Sequence, residues 1–326
     1  MLERFNLKKT ILSLCITALL VVWLLSVIDI RDITRLFQAL SLPALLIGIA
    51  CYLAAYILRT FRFRVLLSDR TRFRDLFLVT SIHNLAVRIL PNPLGEFVFL
   101  HQAKDRGVDY ARSTAAVVMA RVLDFLALAL LCGVSLLVVS IARLGQGVFF
   151  VLLTLAIALA GIGAVYILAS EKYRVLAWFA RKLGKDTNAS SLSQKIESLQ
   201  KAFRGVSAGR IYWLAGILSL GVWLSMFASY YFFFLALGLP IAPLAVAVAG
   251  GVQVVANSIP NIAGFGVMEA GWAVGFAILG ILSPALLGGA LGVDLLTLLG
   301  TVALGLASLL IKYGREFFRR TPVWNP

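Results

Sequence analysis

Histidine is nearly missing from these 326 residues, with only His83 and His101 present. Cysteine is as scarce: Cys15, Cys51 and Cys132 each lie alone inside an apolar run, without CxxC or Cys/His spacing. These scarcities argue against a His- or Cys-based metal centre and against a disulfide framework, and the cysteines read as small buried hydrophobes. No HExxH, GxxxxGK or GxSxG stretch occurs, so the zinc-hydrolase, P-loop and serine-hydrolase patterns are missing too. No cofactor or metal is expected, and no enzymatic activity. Charge is the third scarcity. Charged residues make up 14% of the chain, where a soluble domain carries about 25%.

What fills the chain is hydrocarbon: 61% of the residues are hydrophobic, which fits a polytopic membrane protein. The formal net charge is +15, yet the basic residues sit in the gaps between apolar runs. A positive-inside bias and anionic phospholipid headgroups at the cytoplasmic face account for that placement, and nucleic acid is not an expected partner.

A bilayer core of about 30 Å needs roughly 20 apolar residues per helix. Clear spans cover 10–28, 42–58, 114–141, 148–169, 211–237 and 284–311. The basic start MLERFNLKK resembles a signal sequence, but no small-x-small cleavage site follows the apolar run, so a retained first span is expected. Two further segments, 76–100 and 240–283, are broken near their middles by Pro-Asn-x-x-Gly: Pro91, Asn92 and Gly95 in one, Pro260, Asn261 and Gly264 in the other. Lys and Arg gather at the start, after the second span, in 170–210 and in the tail. If each broken segment returns to the side it left, all of these fall on one side. That expectation puts both termini in the cytoplasm, with the protein multi-pass in the inner membrane. Within 170–210, Leu176, Phe179, Ala180 and Leu183 form one apolar helical stripe, and Leu192, Ile196, Leu199 and Phe203 another. Two basic amphipathic helices on the membrane surface are expected there.

Placing Pro91 on Pro260 shifts the chain by 169 residues and brings Asp124 within one position of Asp294. Each half then reads as a span, a broken segment carrying a Glu, and a span carrying one Asp. The expected fold is all-α: six spans plus two broken or re-entrant hairpins, about eight helices, in one transmembrane domain over 1–326. It comprises inverted repeats at 40–141 and 211–311, an adapter span at 142–169 and a basic linker at 170–210. Inverted repeats of this type place substrate near the bilayer midplane, at discontinuous helices. Proline stops a helix, and backbone groups freed at depth must be buried in protein or line a wet cavity. Proline-kinked transmembrane helices are the alternative for the two segments.

Charges at membrane depth require a reason, since each costs about 2.5–3.5 kcal/mol on insertion scales. Arg88 and Glu96 flank the first break. Arg121 and Asp124 stand at i, i+3 and share a helix face, so they are expected to pair, as packing or as a site. Between Arg210 and Lys312 the only carboxylates are Glu269 and Asp294, with no basic residue near them in sequence. Arg121 or Arg88 is the expected partner from the other half. Asn92, Asn257 and Asn261 suit either helix capping or a headgroup contact. Arg59, Arg62 and Arg64 read as interfacial anchors, and Gly271/Gly275 and Gly288/Gly292 as close helix packing. The candidate substrate- or ion-binding residues are therefore Arg88, Asn92, Glu96, Arg121, Asp124, Asn261, Glu269 and Asp294.

The stretches RTFRFRVLL, NLAVRILPNPLGEF, AAVVMARVLDFLAL and NSIPNIAGFGVMEAGWAVGFAILGI resemble the lysylphosphatidylglycerol synthase transmembrane-region family of flippase-like membrane proteins. The likeness covers roughly residues 10–311 and rests on Asn84, Leu90, Pro91, Gly95 and Glu96, on Arg121 and Asp124, and on Pro260, Gly264, Gly266 and Glu269. Ala263, where a glycine is common, and the second proline Pro93 depart from the pattern and leave the substrate type open. The resemblance implies transbilayer movement of lipids. With no soluble aminoacyl-transferase domain in these 326 residues, it implies a stand-alone member. The expected function is translocation of a phosphate-bearing lipid, such as a phospholipid or a polyprenyl-phosphate-linked lipid. The acids would bind a cationic headgroup or take up protons. The alternative is a secondary transporter of a small polar solute coupled to protons. A homo-oligomer is left open.

Overall fold

Apolar runs bounded by Pro, Ser, Asp and Gly fold here into helices alone. The computed structural model describes residues 38, 40–67, 72–90, 94–141, 209–257 and 266–320. Among these residues there are eight helices and no strand: α1 (Leu42–Leu67), α2 (Phe73–Ile89), α3 (Leu94–Lys104), α4 (Tyr110–Ile141), α5 (Gly209–Ala236), α6 (Pro243–Ala256), α7 (Val267–Ile278) and α8 (Pro284–Arg320). The starts are written in the sequence. Proline opens α6 and α8, where its missing N–H breaks no helical bond. Ser283 Oγ accepts the Leu286 N–H at 3.3 Å, and Asp109 Oδ2 accepts the Ala111 N–H at 3.3 Å, so these two residues cap α8 and α4.

Length divides the helices into two kinds. Helices α1, α4, α5 and α8 have 26, 32, 28 and 37 residues. At 1.5 Å per residue even the shortest reaches about 39 Å, beyond a bilayer core of about 30 Å. All four are apolar enough to cross. Helices α2, α3, α6 and α7 have 17, 11, 14 and 12 residues, so none exceeds about 26 Å. The expected spans 10–28 and 148–169 and the amphipathic linker lie outside the described residues, as do 91–93 and 258–265.

Each broken segment is a pair of short antiparallel helices. A Cβ at Gly271 would stand 2.5 Å from the Gln253 Cα, and one at Gly275 would collide with the Ala249 backbone. One number rises by four as the other falls by four, so α7 runs back along α6 with their backbones in contact. Only glycine permits that approach, as the GxxxG reading of Gly271/Gly275 anticipated. In the first segment a Cβ at Gly95 would stand 2.5 Å from the Val87 Cα, and His83 reaches the Gly95 carbonyl at 3.3 Å. Helix α3 therefore folds back on α2. Two short helices returning on each other form a re-entrant hairpin; a kinked span would continue in one direction.

One expectation needs correction. The second span does not end before Arg59: α1 continues through Leu67, so Arg59, Arg62 and Arg64 are helical. RTFRFRVLL holds neither Gly nor Pro, and arginine is a good helix former, so nothing stops the helix there.

The described residues fall into two compact units, one within Met1–Tyr56, Phe77–Val98 and Leu224–Pro326, the other within Ile57–Leu76 and Phe99–Trp223. The first has an aromatic core on Trp272, whose ring meets those of Tyr230, Phe234 and Phe276 at centroid distances of 5.7, 5.4 and 5.6 Å. Gly250 leaves room for the indole. The second packs Phe63 on Phe99 at 4.4 Å, and Leu66, Ala116 and Met119 are buried in the same unit. Leu46, Trp213, Leu299 and Leu310 remain exposed on the long helices. Apolar surface of this kind suits contact with lipid and is a liability in water.

Candidate functional site

The second unit contains a buried ion pair. Arg62 on α1 is 2% exposed, and its guanidinium forks onto the Asp124 carboxylate of α4. Nη1 meets Oδ1, and Nη2 donates to Oδ2 at 3.2 Å. From α5, the Trp223 indole N–H donates to Asp124 Oδ1 at 2.8 Å, and Ser219 Oγ receives Arg62 Nη1 at 3.0 Å. Three helices are pinned at one point, and both carboxylate oxygens are occupied.

This corrects two expectations. Asp124 does not pair with Arg121, and Arg62 is not an interfacial anchor. Arg121 is exposed because it stands outside the buried stripe of Ala116, Ala120, Leu123 and Ala127, whereas Asp124 lies within it. Arg62 follows Ala55 by seven residues and precedes Leu66 by four. Both of those are buried, so the 3.6-residue period puts Arg62 on the inner face. That periodicity, carried past Arg59, is the signal that could have found it.

The first unit holds the remaining candidates. At the first break, Glu96 in the opening turn of α3 faces His83 across 3.4 Å, and Arg88 turns elsewhere. Its guanidinium reaches the Met268 sulfur at the start of α7, 180 positions away. There it stands in the electrostatic neighbourhood of Glu269 and Asp294. Ser81, Asn84 and Arg88 follow at i, i+3 and i+7, so they share one face of α2.

Glu269 and Asp294 are placed very differently. Gly266 adopts φ 77°, the left-handed region that favours glycine, and turns the chain into α7. Its N–H donates to Glu269 Oε2 at 2.7 Å, so the glutamate folds back to close the turn. Asp294 is 1% exposed on α8, and neither carboxylate oxygen has a hydrogen-bond partner. The Trp272 indole is its neighbour, but no hydrogen bond of normal geometry joins them and Nε1 too is unpartnered. Ser81 Oγ, Asn84 Nδ2, Ser229 Oγ and Gln253 Oε1 are likewise buried and unpartnered, all in this unit. Buried polar atoms normally find partners, so the unpartnered Asp294 carboxylate is suited to receive one.

A family model described as the lysylphosphatidylglycerol synthase TM region matches residues 10–305. The chain belongs to this family. A comparison with curated proteins gave no match. All eight candidate residues lie inside the matched stretch. Of these, Arg88, Glu269 and Asp294 are brought together in the first unit, Glu96 pairs locally with His83, and Asp124 is bound to Arg62 in the second. Asn92 and Asn261 lie outside the described residues. Asn257 is the C-terminal cap residue of α6. Sequence reading overlooked Trp272, Gln253, Ser81 and Ser229, because a neutral polar residue in an apolar run carries no periodic signal of its own.

Proposed function

We propose that this family member moves a phosphate-bearing lipid across the inner membrane, with both termini cytoplasmic. The observation that carries the reading is Arg88: a half-buried guanidinium brought from the first helix break to the start of α7, at the end of the polar stripe Ser81–Asn84. A guanidinium binds phosphate through charged, directional hydrogen bonds. The free backbone N–H groups opening a helix favour the same anion. The headgroup would pass along this polar face while its acyl or prenyl tails stay in lipid, and anionic headgroups would gather at the basic cytoplasmic face. An inverted repeat belongs to the same reading. Its support is the helix order, long–short–short–long, which recurs from α1–α4 to α5–α8.

The test is leaflet access of headgroup-labelled lipids in proteoliposomes, read with an impermeant quencher. Phosphate-bearing probes are expected to cross faster with wild type, not with Arg88→Ala, and partly with Arg88→Lys. A folded wild-type protein that accelerates no probe would sink the proposal. Flux of a polar solute would then become the reading, which the buried Asp294 carboxylate favours independently.

A further inference from the structure

We infer that Asp294 is a proton-binding site that couples headgroup movement to protons, whereas Glu269 is a structural cap. The coupling rests on the translocase reading above; the proton site does not.

Asp294 lies ten residues into α8, about 15 Å along its axis and so about half a bilayer core from the helix start. Its surroundings are specific. Helix α7 presents Glu269 and the Trp272 indole, and α2 presents Arg88. Helix α1 adds the hydroxyls of Tyr52 and Tyr56 further along α8. Tyr52 binds the Thr297 carbonyl at 3.1 Å and the Thr301 hydroxyl at 2.6 Å, and lies 3.2 Å from Tyr56. These hydroxyls satisfy one another and leave the carboxylate alone.

Two carboxylates face one guanidinium, so one negative charge is left over, and an unbalanced buried charge is strongly disfavoured. Glu269 is committed to the Gly266 N–H, which makes Asp294 the residue free to exchange. A metal ion would need several oxygen ligands. Among the described residues no group of three or more His, Cys, Asp or Glu could supply them. The neighbouring indole N–H is a donor, which also disfavours a metal. A proton needs only one oxygen.

Coupling follows from sharing Arg88. With no headgroup bound, the guanidinium offsets one of the two acid charges, and Asp294 exchanges its proton with water. A phosphate arriving at Arg88 takes over the guanidinium, so the acids lose their counter-charge and Asp294 holds its proton. When the phosphate leaves, the proton leaves too. Anionic headgroup and proton therefore travel in the same direction, and each favours binding of the other.

The experiment is infrared difference spectroscopy of the full chain in nanodiscs through a pH titration, without added substrate lipid. A protonated-carboxyl carbonyl band is expected in wild type, lost in Asp294→Asn and kept in Glu269→Gln. Carboxyl-13C aspartate in the wild-type protein should shift this band, which identifies it even if a variant fails to fold. A band that survives Asp294→Asn, or that belongs to glutamate, overturns the assignment. A band abolished by sodium at constant pH overturns the proton in favour of Na+. In proteoliposomes an inward pH gradient should accelerate inward movement of short-chain phosphatidylglycerol in wild type, and Asp294→Asn should lose that response. Wild-type movement without any such response overturns the coupling. If no lipid moves while the band still titrates, the translocase reading fails and the proton site stands.

Discussion

Arg62 and Asp124, 62 positions apart in the chain, are bound to each other in the interior of one unit, with Trp223 and Ser219 completing the set. An ion pair with both carboxylate oxygens engaged is a fastening, and its removal should read as lost stability.

Arg62→Met or Asp124→Leu alone should destabilise the protein by about 3–5 kcal/mol, because the surviving partner is left uncompensated. The double replacement Arg62→Met with Asp124→Leu should cost less than either single change. Thermal unfolding in detergent of all variants, arranged as a double-mutant cycle, measures this. A double variant as unstable as the sum of the singles would remove the pairing argument.

Backbone contact at Gly275 leaves no room for a side chain, so Gly275→Leu should abolish folded protein. Gly216→Ala in α5 should be neutral or slightly stabilising, since the nearest atom to a new Cβ is Leu123 Cδ2 at 3.9 Å. Alanine is favoured over glycine in a helix by up to about 1 kcal/mol. Expression and size-exclusion profiles of the two variants provide the comparison.

Glutamine at 269 retains an oxygen for the Gly266 N–H; alanine does not. Glu269→Gln should therefore keep a melting temperature near wild type, and Glu269→Ala should lose about 0.5–2 kcal/mol, the range for a missing helix cap. Equal loss in both would show that the charge of Glu269, rather than its hydrogen bond, matters to the fold.

Tyr52→Phe removes the hydroxyl that joins α1 to Thr297 and Thr301 of α8. Thr301 keeps its bond to the Thr297 carbonyl at 2.9 Å, which limits the damage. A loss of about 1–2 kcal/mol is expected, measurable by chemical unfolding.

Much of this architecture was legible without coordinates. The apolar composition imposed a membrane class, and Pro-Asn-x-x-Gly announced the helix breaks, because proline and glycine act on their own backbone wherever they stand. The motifs around Glu96, Asp124 and Glu269 carried the family. These are local properties, or properties summed over the chain. Partnership is neither. The spacing of Arg121 and Asp124 suggested a shared face and a pair, but Arg121 is exposed and the partner of Asp124 is a residue 62 positions away. Arg88 reaches Met268 across 180 positions and comes into the neighbourhood of the two acids, which no spacing in the sequence shows. Glu269 and Asp294 look alike as isolated acids in an apolar run, yet one is bound by a backbone N–H and the other by nothing. Which way each helix turns its faces depends on close packing at glycines such as Gly271 and Gly275. That rotation was decided by tertiary structure, because a helix period says which residues share a face but not what that face will meet.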